Sequence, residues 1–299
     1  MLKHWLLAIR PKTLSMAIVP VLVGTTLGAL QAGGLQLGVA TAALLGAVLI
    51  QIGTNLHNDA ADHERGADIP GERLGPPRAT AEGWLSVRQV KGATALSFAA
   101  AAAIGAYLIW VGGWPILLLG LLSILAGLAY TGGPWPIAYS GLGELFVLAF
   151  FGLVATAGSH YLQTGEFSGL ALLSGAIVGM PAAAVLVVNN YRDHETDRRV
   201  GKNTLAVRLG PRASQHEYAF LMIAPFALLL ALQYALANPW LLLPWLVLPW
   251  ALALVRRVYA ERPGRQLNRV LAGTAQMQLG LGAVLCLALL IAYAPPPGA

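Results

Sequence analysis

The chain has 299 residues, of which 57% are hydrophobic and only 11% charged, whereas soluble domains are roughly a quarter charged. That excludes an ordinary soluble globule, and so much apolar surface excludes a disordered chain. A single cysteine, Cys286, excludes a disulfide scaffold and a thiolate-cluster metal site.

Apolar segments of about 20 residues, the length a helix needs to cross the hydrocarbon core, lie at 13–31, 35–57, 92–111, 114–131, 143–163, 168–190, 217–236, 240–259 and 270–293. They predict an all-α, polytopic membrane protein with about nine transmembrane helices in one bundle, forming a single domain over 1–299. Ahead of them, Lys3 and the run Arg10-Pro11-Lys12 break the apolar pattern that a signal peptide would need, so the first residues read as a short interfacial helix. Breakers such as Gly33-Gly34, Gly112-Gly113 and Asn238-Pro239 make tight hairpins on one side.

On the other side the connections are long and basic. All 19 Lys and Arg residues fall in the N-terminus or in the loops after the second, sixth and eighth spans. The positive-inside rule then places those segments and the N-terminus in the cytoplasm and the tail 294–299 outside, as expected of a multi-pass protein of the cytoplasmic (inner) membrane. The net charge of +6 thus faces lipid headgroups, and no nucleic-acid partner is expected.

Acidic residues are scarcer and more telling. Of 13, six lie between Asp59 and Glu82, and three more are Asp193, Glu195 and Asp197. If the second span continues as a helix, Asn55, Asn58, Asp59 and Asp62 share one face at i, i+3, i+4 and i+7. Asn189, Asp193 and Asp197 repeat the design at the end of the sixth span, a weak internal repeat. Carboxylates and carboxamides at the ends of two helices form the hard oxygen set that Mg²⁺ takes and shares with phosphates. Cations follow each cluster: Arg65, Arg73 and Arg78 after the first, Arg198, Arg199, Lys202 and Arg208 after the second. Together they describe a diphosphate site. A transporter is the non-enzyme alternative, but its ion sites belong near the midplane, and these acids sit at one membrane face.

In these motifs the chain resembles the UbiA superfamily of intramembrane prenyltransferases. Asn58, Asp59 and Asp62 match the family's N-D-x-x-D-x-x-x-D, and Asp193 and Asp197 its D-x-x-x-D; the last acidic position of the first motif departs, with Gly66 there and Asp68 two residues on. That variant, with Arg73-x-Gly75-Pro76-x-Arg78, is typical of the branch that uses 1,4-dihydroxy-2-naphthoate. Arg10-Pro11-Lys12-Thr13-Leu14, Tyr130-Thr131-Gly132-Gly133-Pro134 and Gly201-Lys202-Asn203-Thr204 support the same branch.

The resemblance implies transfer of a polyprenyl group from polyprenyl diphosphate to the naphthoate within the lipid bilayer, with loss of diphosphate and CO₂, giving a demethylmenaquinol. It implies Asn58, Asp59, Asp62, Asp68, Asp193 and Asp197 as catalytic groups, with Asn58, Asp62, Asp193 and Asp197 holding Mg²⁺. Arg78, Lys202 and Arg208 would bind diphosphate. Arg10, Lys12 and Tyr130 would meet the acceptor or the allylic cation, with Tyr139 and Tyr191 as further cation–π candidates. Asp68 or Glu144 could act as base, ahead of His57 and His63. A family member using 4-hydroxybenzoate is the alternative acceptor reading.

Overall fold

The computed structural model describes residues 1–68 and 73–293; Glu72 and the predicted outer tail 294–299 lie outside the described residues. Every regular element among them is helical. A short helix α1 (Leu2–Ile9) leads into α2 (Pro11–Gln31), α3 (Leu37–Glu64), α4 (Val87–Gly112) and α5 (Trp114–Ala129). Helices α6 (Gly143–Leu148) and α7 (Ala155–Thr164) join through a π-helical turn, Ala149–Val154, into one span. Then follow α8 (Gly169–Arg199), α9 (Leu205–Leu236), a 3₁₀ stretch Pro239–Val247 running into α10 (Leu248–Ala260), and α11 (Leu267–Ala292).

Eight of these helical segments are long and apolar enough to span a bilayer. The fourth predicted span is a shorter helix: α5 has 16 residues, about 24 Å at 1.5 Å per residue. Pro115 and Gly113 (φ 72°) begin it at the turn from α4, and the Tyr130–Gly141 connection ends it. The interfacial helix at the N-terminus is α1, whose His4 stacks on Trp84 at 4.9 Å between ring centroids.

Termini are set by local chemistry. Ser86 and Gln89 form a reciprocal capping box at the start of α4, Thr204 caps α9, and Pro11 and Pro239 stand where their missing N–H costs nothing. Gly210 (φ 83°) kinks α9 just inside its charged end. Exposed Trp110, Trp114 and Trp240 ring the turns opposite the charged loops, where amphipathic rings suit an interface.

Lipid tails are as apolar as leucine, so helices associate through close packing rather than through the hydrophobic effect. Gly24 and Gly28 bring α2 against α7: a Cβ at Gly24 would lie 2.2 Å from the Thr156 carbonyl oxygen. Gly175 and Gly179 of α8 clasp Gly152 in the π-helical turn, with a Cβ at Gly179 falling 2.6 Å from the Gly152 Cα. Helix α8 is the most buried of the spans and packs on α2, α6, α9 and α11. Replacing Gly24 by Val should therefore lower stability by about 1–3 kcal/mol through overpacking, read as an earlier thermal midpoint in detergent. An unchanged midpoint would show that α2 and α7 do not touch there.

Candidate active site

The charged end of α3 delivers the first motif, and its residues have separate tasks. Asn55 donates to the Ile9 carbonyl at 2.8 Å and to Thr13 Oγ1 at 3.0 Å, fixing the elbow between α1 and α2. At that elbow Arg10 holds a left-handed backbone (φ 57°), a strained conformation for a side-chain-bearing residue. Asn58 accepts from Thr131 Oγ1 at 2.6 Å. Asp59 accepts from the backbone N–H groups of Ala79 (3.1 Å) and Thr80 (3.0 Å) and from the Thr80 hydroxyl. Both its oxygens are thus spent on the loop after α3, so the structure makes it the anchor of that loop rather than a ligand facing the cavity.

Asp62 is the member of the motif that meets everything else. Its Oδ2 faces Arg78 at 3.1 Å and its Oδ1 accepts from the Tyr139 hydroxyl at 3.2 Å. Asp68 pairs with Arg73 and lies 3.2 Å from Arg78 Nε. Burial pushes the Asp68 carboxyl above its ordinary value although Arg73 pulls it down. Tyr139 is flanked by Arg65 at 5.5 Å and Lys202 at 5.7 Å from its ring centroid. Its hydroxyl is pushed up by burial and by Asp62.

The second motif is organised by a residue that the sequence offered only as one more loop cation. Arg192, its side chain fully buried, donates to Asp193 Oδ1 (2.8 Å) and Oδ2 (2.5 Å), to Asn189 Oδ1 (2.8 Å) and to Asn268 Oδ1 (2.7 Å). Asn268 in turn donates to the Leu74 carbonyl at 2.8 Å. A Cβ at Gly75 would lie 2.6 Å from the Arg192 guanidinium, so only glycine lets the first loop come this close. Asp197 lies 3.8 Å from Lys202 Nζ. Burial pulls the Lys202 ammonium down, but Asp197, Asp62 and Asp193 outweigh it and hold it above the usual lysine value.

A cavity of about 630 Å³ opens between these helix ends. Asn58, Asp62, Arg78, Asn189, Arg192 and Lys202 line its charged end, with Arg10, Lys12 and Tyr130 beside them. Asp59, Asp68, Asp193, Asp197 and Arg208 are not on its wall; Arg208 is exposed and donates to the Asn203 carbonyl at 3.1 Å. Tyr191 points elsewhere, donating to the Glu261 carbonyl at 2.9 Å. His57 is half-buried, its Nε2 lacking a partner among the described residues. Glu144 accepts from Asn190 Nδ2 at 2.7 Å, behind the wall. His160 bonds Gln31 at 2.6 Å at the far end of the bundle.

Below the polar mouth the wall is apolar, from the stacked pair Phe146 and Phe150 (5.5 Å between centroids) to Ile116 and Leu162 near the opposite end. Gln51 interrupts it, as do the smaller hydroxyls of Thr54, Ser123 and Ser159. Gln51, one turn below Asn55, is 5% exposed and its Oε1 has no partner among the described residues. A carboxamide inside a largely apolar span is the signal that could have found it.

The donor set fits a hard divalent cation. Among the described residues no three acidic or histidine side chains surround one point; each motif carboxylate instead faces an Arg, a Lys or backbone N–H groups. Yet Asp197 Oδ2 is buried without a hydrogen bond among the described residues, and such an oxygen is expensive to leave unsatisfied. Oxygen-only ligands, with cations already beside them, suit Mg²⁺ arriving with a phosphate-bearing partner.

Residues 17–282 match the UbiA prenyltransferase family. The chain is 35% identical to the 1,4-dihydroxy-2-naphthoate octaprenyltransferase of Haemophilus influenzae, covering 97% of this chain and 96% of that protein. Among solved structures it resembles the apo form of a UbiA homologue from Aeropyrum pernix (TM-score 0.70, 20% identity, 92% and 97% of the two chains). It also resembles a homologue from Archaeoglobus fulgidus bound to DMAPP and Mg²⁺ (TM-score 0.66, 16% identity, 94% and 99%).

Proposed function

The chain belongs to the UbiA prenyltransferase family, and from that premise we propose that its cavity is the chamber in which a polyprenyl group passes from polyprenyl diphosphate to 1,4-dihydroxy-2-naphthoate. The protein is a prenyltransferase of menaquinone biosynthesis. The observation that carries the reading is the division of the cavity into one charged mouth and one long apolar interior, matching a diphosphate with an isoprenoid tail.

Arg78 and Lys202, already on the wall, present charge-assisted hydrogen bonds to the diphosphate oxygens. Asn58 and Asp62 on the wall, with Asp193 and Asp197 set back from it at the end of α8, would hold Mg²⁺, which would supply Lewis-acid neutralisation of the charge left on the departing diphosphate. Asp59 and Asp68 support them from behind by holding the loop that carries Arg78. The allylic C–O bond breaks, and the aromatic wall with its excluded water protects the resulting cation. Tyr130 lines the mouth, and its ring face can stabilise that cation.

Arg10, with a buried Nη2 lacking a partner among the described residues, and Lys12 meet the acceptor carboxylate. The new C–C bond forms at the carboxylate-bearing carbon as the neighbouring hydroxyl gives up its proton. The β-keto acid then loses CO₂, and the returning proton restores the aromatic diol. The basic loops, gathered at one end, support a cytoplasmic N-terminus and a mouth on that face of the inner membrane. An ion path would need polar groups through the whole depth, and the apolar interior favours chemistry over transport.

Purified membranes given a labelled polyprenyl diphosphate should transfer label to 1,4-dihydroxy-2-naphthoate with release of CO₂, and chelation with EDTA should stop it. Transfer to 4-hydroxybenzoate instead would keep the family and overturn the acceptor. Undiminished transfer in EDTA would remove the metal from the scheme.

A further inference from the structure

A second groove lies on the outside of the bundle, between α10 and α11, with a volume of about 350 Å³. Arg257, in the last turn of α10, and Arg269, in the first turn of α11, line its charged end. Both are exposed, and neither guanidinium has a hydrogen bond or ion pair among the described residues. Deeper in, the helices touch at Gly273, where a Cβ would lie 2.8 Å from Leu254 Cδ2. Trp250, 42% exposed, forms the apolar wall below.

One further residue breaks the apolar surface there. Gln276 lies seven residues into the bilayer from Arg269, about 10 Å along the helix. It is exposed, lines the same groove and makes no hydrogen bond to the protein among the described residues. An amide facing hydrocarbon is costly unless something satisfies it. Two cations at headgroup depth, an amide one to two turns below and an apolar cleft beneath match an anionic phospholipid: phosphate, ester carbonyls and acyl chain in that order. Basic pockets between helices at the membrane surface bind such headgroups.

We propose that this groove is a binding site for an anionic phospholipid, clasped by Arg257 and Arg269 and separate from the reaction cavity. A zwitterionic lipid carries its own cation beside the phosphate and gains less from the pair.

The test is native mass spectrometry of the delipidated full chain with phosphatidylglycerol or phosphatidylcholine added. Wild-type protein is expected to retain phosphatidylglycerol about tenfold more than phosphatidylcholine. The R257Q/R269Q variant should lose that preference, whereas R256Q/R262Q, which removes the same charge from exposed arginines outside the groove, should keep it. Equal loss in both pairs would reduce the effect to general surface charge and overturn the site. So would the absence of a preference in the wild type, or displacement of phosphatidylglycerol by an equimolar polyprenyl diphosphate, which would assign the groove to the prenyl donor.

Discussion

Replacing Asp62 with alanine is expected to lower prenyl transfer on the order of 10³-fold, the scale seen when one preorganised electrostatic contact is removed from a dry site. Asp62 is the one carboxylate of either motif on the cavity wall. Its two oxygens are shared between Arg78 and Tyr139, so its loss acts twice. The proposed metal ligand disappears, and Arg78, whose Nη1 already lacks a partner among the described residues, is left a buried cation with only Asp68 of those residues beside it. Asp62→Asn separates the two effects: it keeps the shape and an acceptor oxygen but not the charge, so transfer should fall about as far while the thermal midpoint moves less. Transfer rates and unfolding curves on the same preparations decide the matter. A rate within tenfold of wild type in D62N would mean that the charge of Asp62 is not part of the chemistry.

Much of this arrangement was legible in the sequence because helical spacing is rigid. Asn55, Asn58, Asp59 and Asp62 do sit together at the charged end of α3, with the second motif at the same end of α8. Spacing does not say which way a carboxylate is spent, however. Asp59 and Asp62 are three residues apart, yet one is consumed by backbone N–H groups of residues 79 and 80 and the other faces the cavity. That difference depends on the path of a loop without periodicity. The same holds for Arg208, which matched the diphosphate pattern but folds back on the Asn203 carbonyl. The apolar count found the spans, but not that α5 is short, nor that a π-helical turn at Gly152 lets α8 approach. Both depend on packing between segments far apart in the chain.

Arg192 carries the largest expected effect on stability. Its guanidinium joins Asp193 and Asn189 on its own helix to Asn268 on α11, and Asn268 holds the loop of residues 73–78 through the Leu74 carbonyl. One side chain thus ties the second motif to the loop that carries Arg73 and Arg78. Arg192→Gln should cost about 3–5 kcal/mol, the usual penalty when one member of a buried ion pair is removed and its partner is stranded. Arg192→Lys keeps the charge but not the planar fork that serves three partners at once, so it should restore part of the stability and little of the geometry. The outcome that marks positioning, rather than stability alone, is kinetic: KM for polyprenyl diphosphate and the Mg²⁺ needed for half-activation should both rise in R192K at a temperature where it stays folded. Amide hydrogen exchange across residues 73–80 should rise with them. Asn268→Leu, which cuts the loop tether but leaves Asp193 paired, should reproduce the faster exchange and the higher donor KM with a smaller loss of stability. If R192K is destabilised yet shows wild-type KM and metal dependence, Arg192 holds the bundle together and does not position the site.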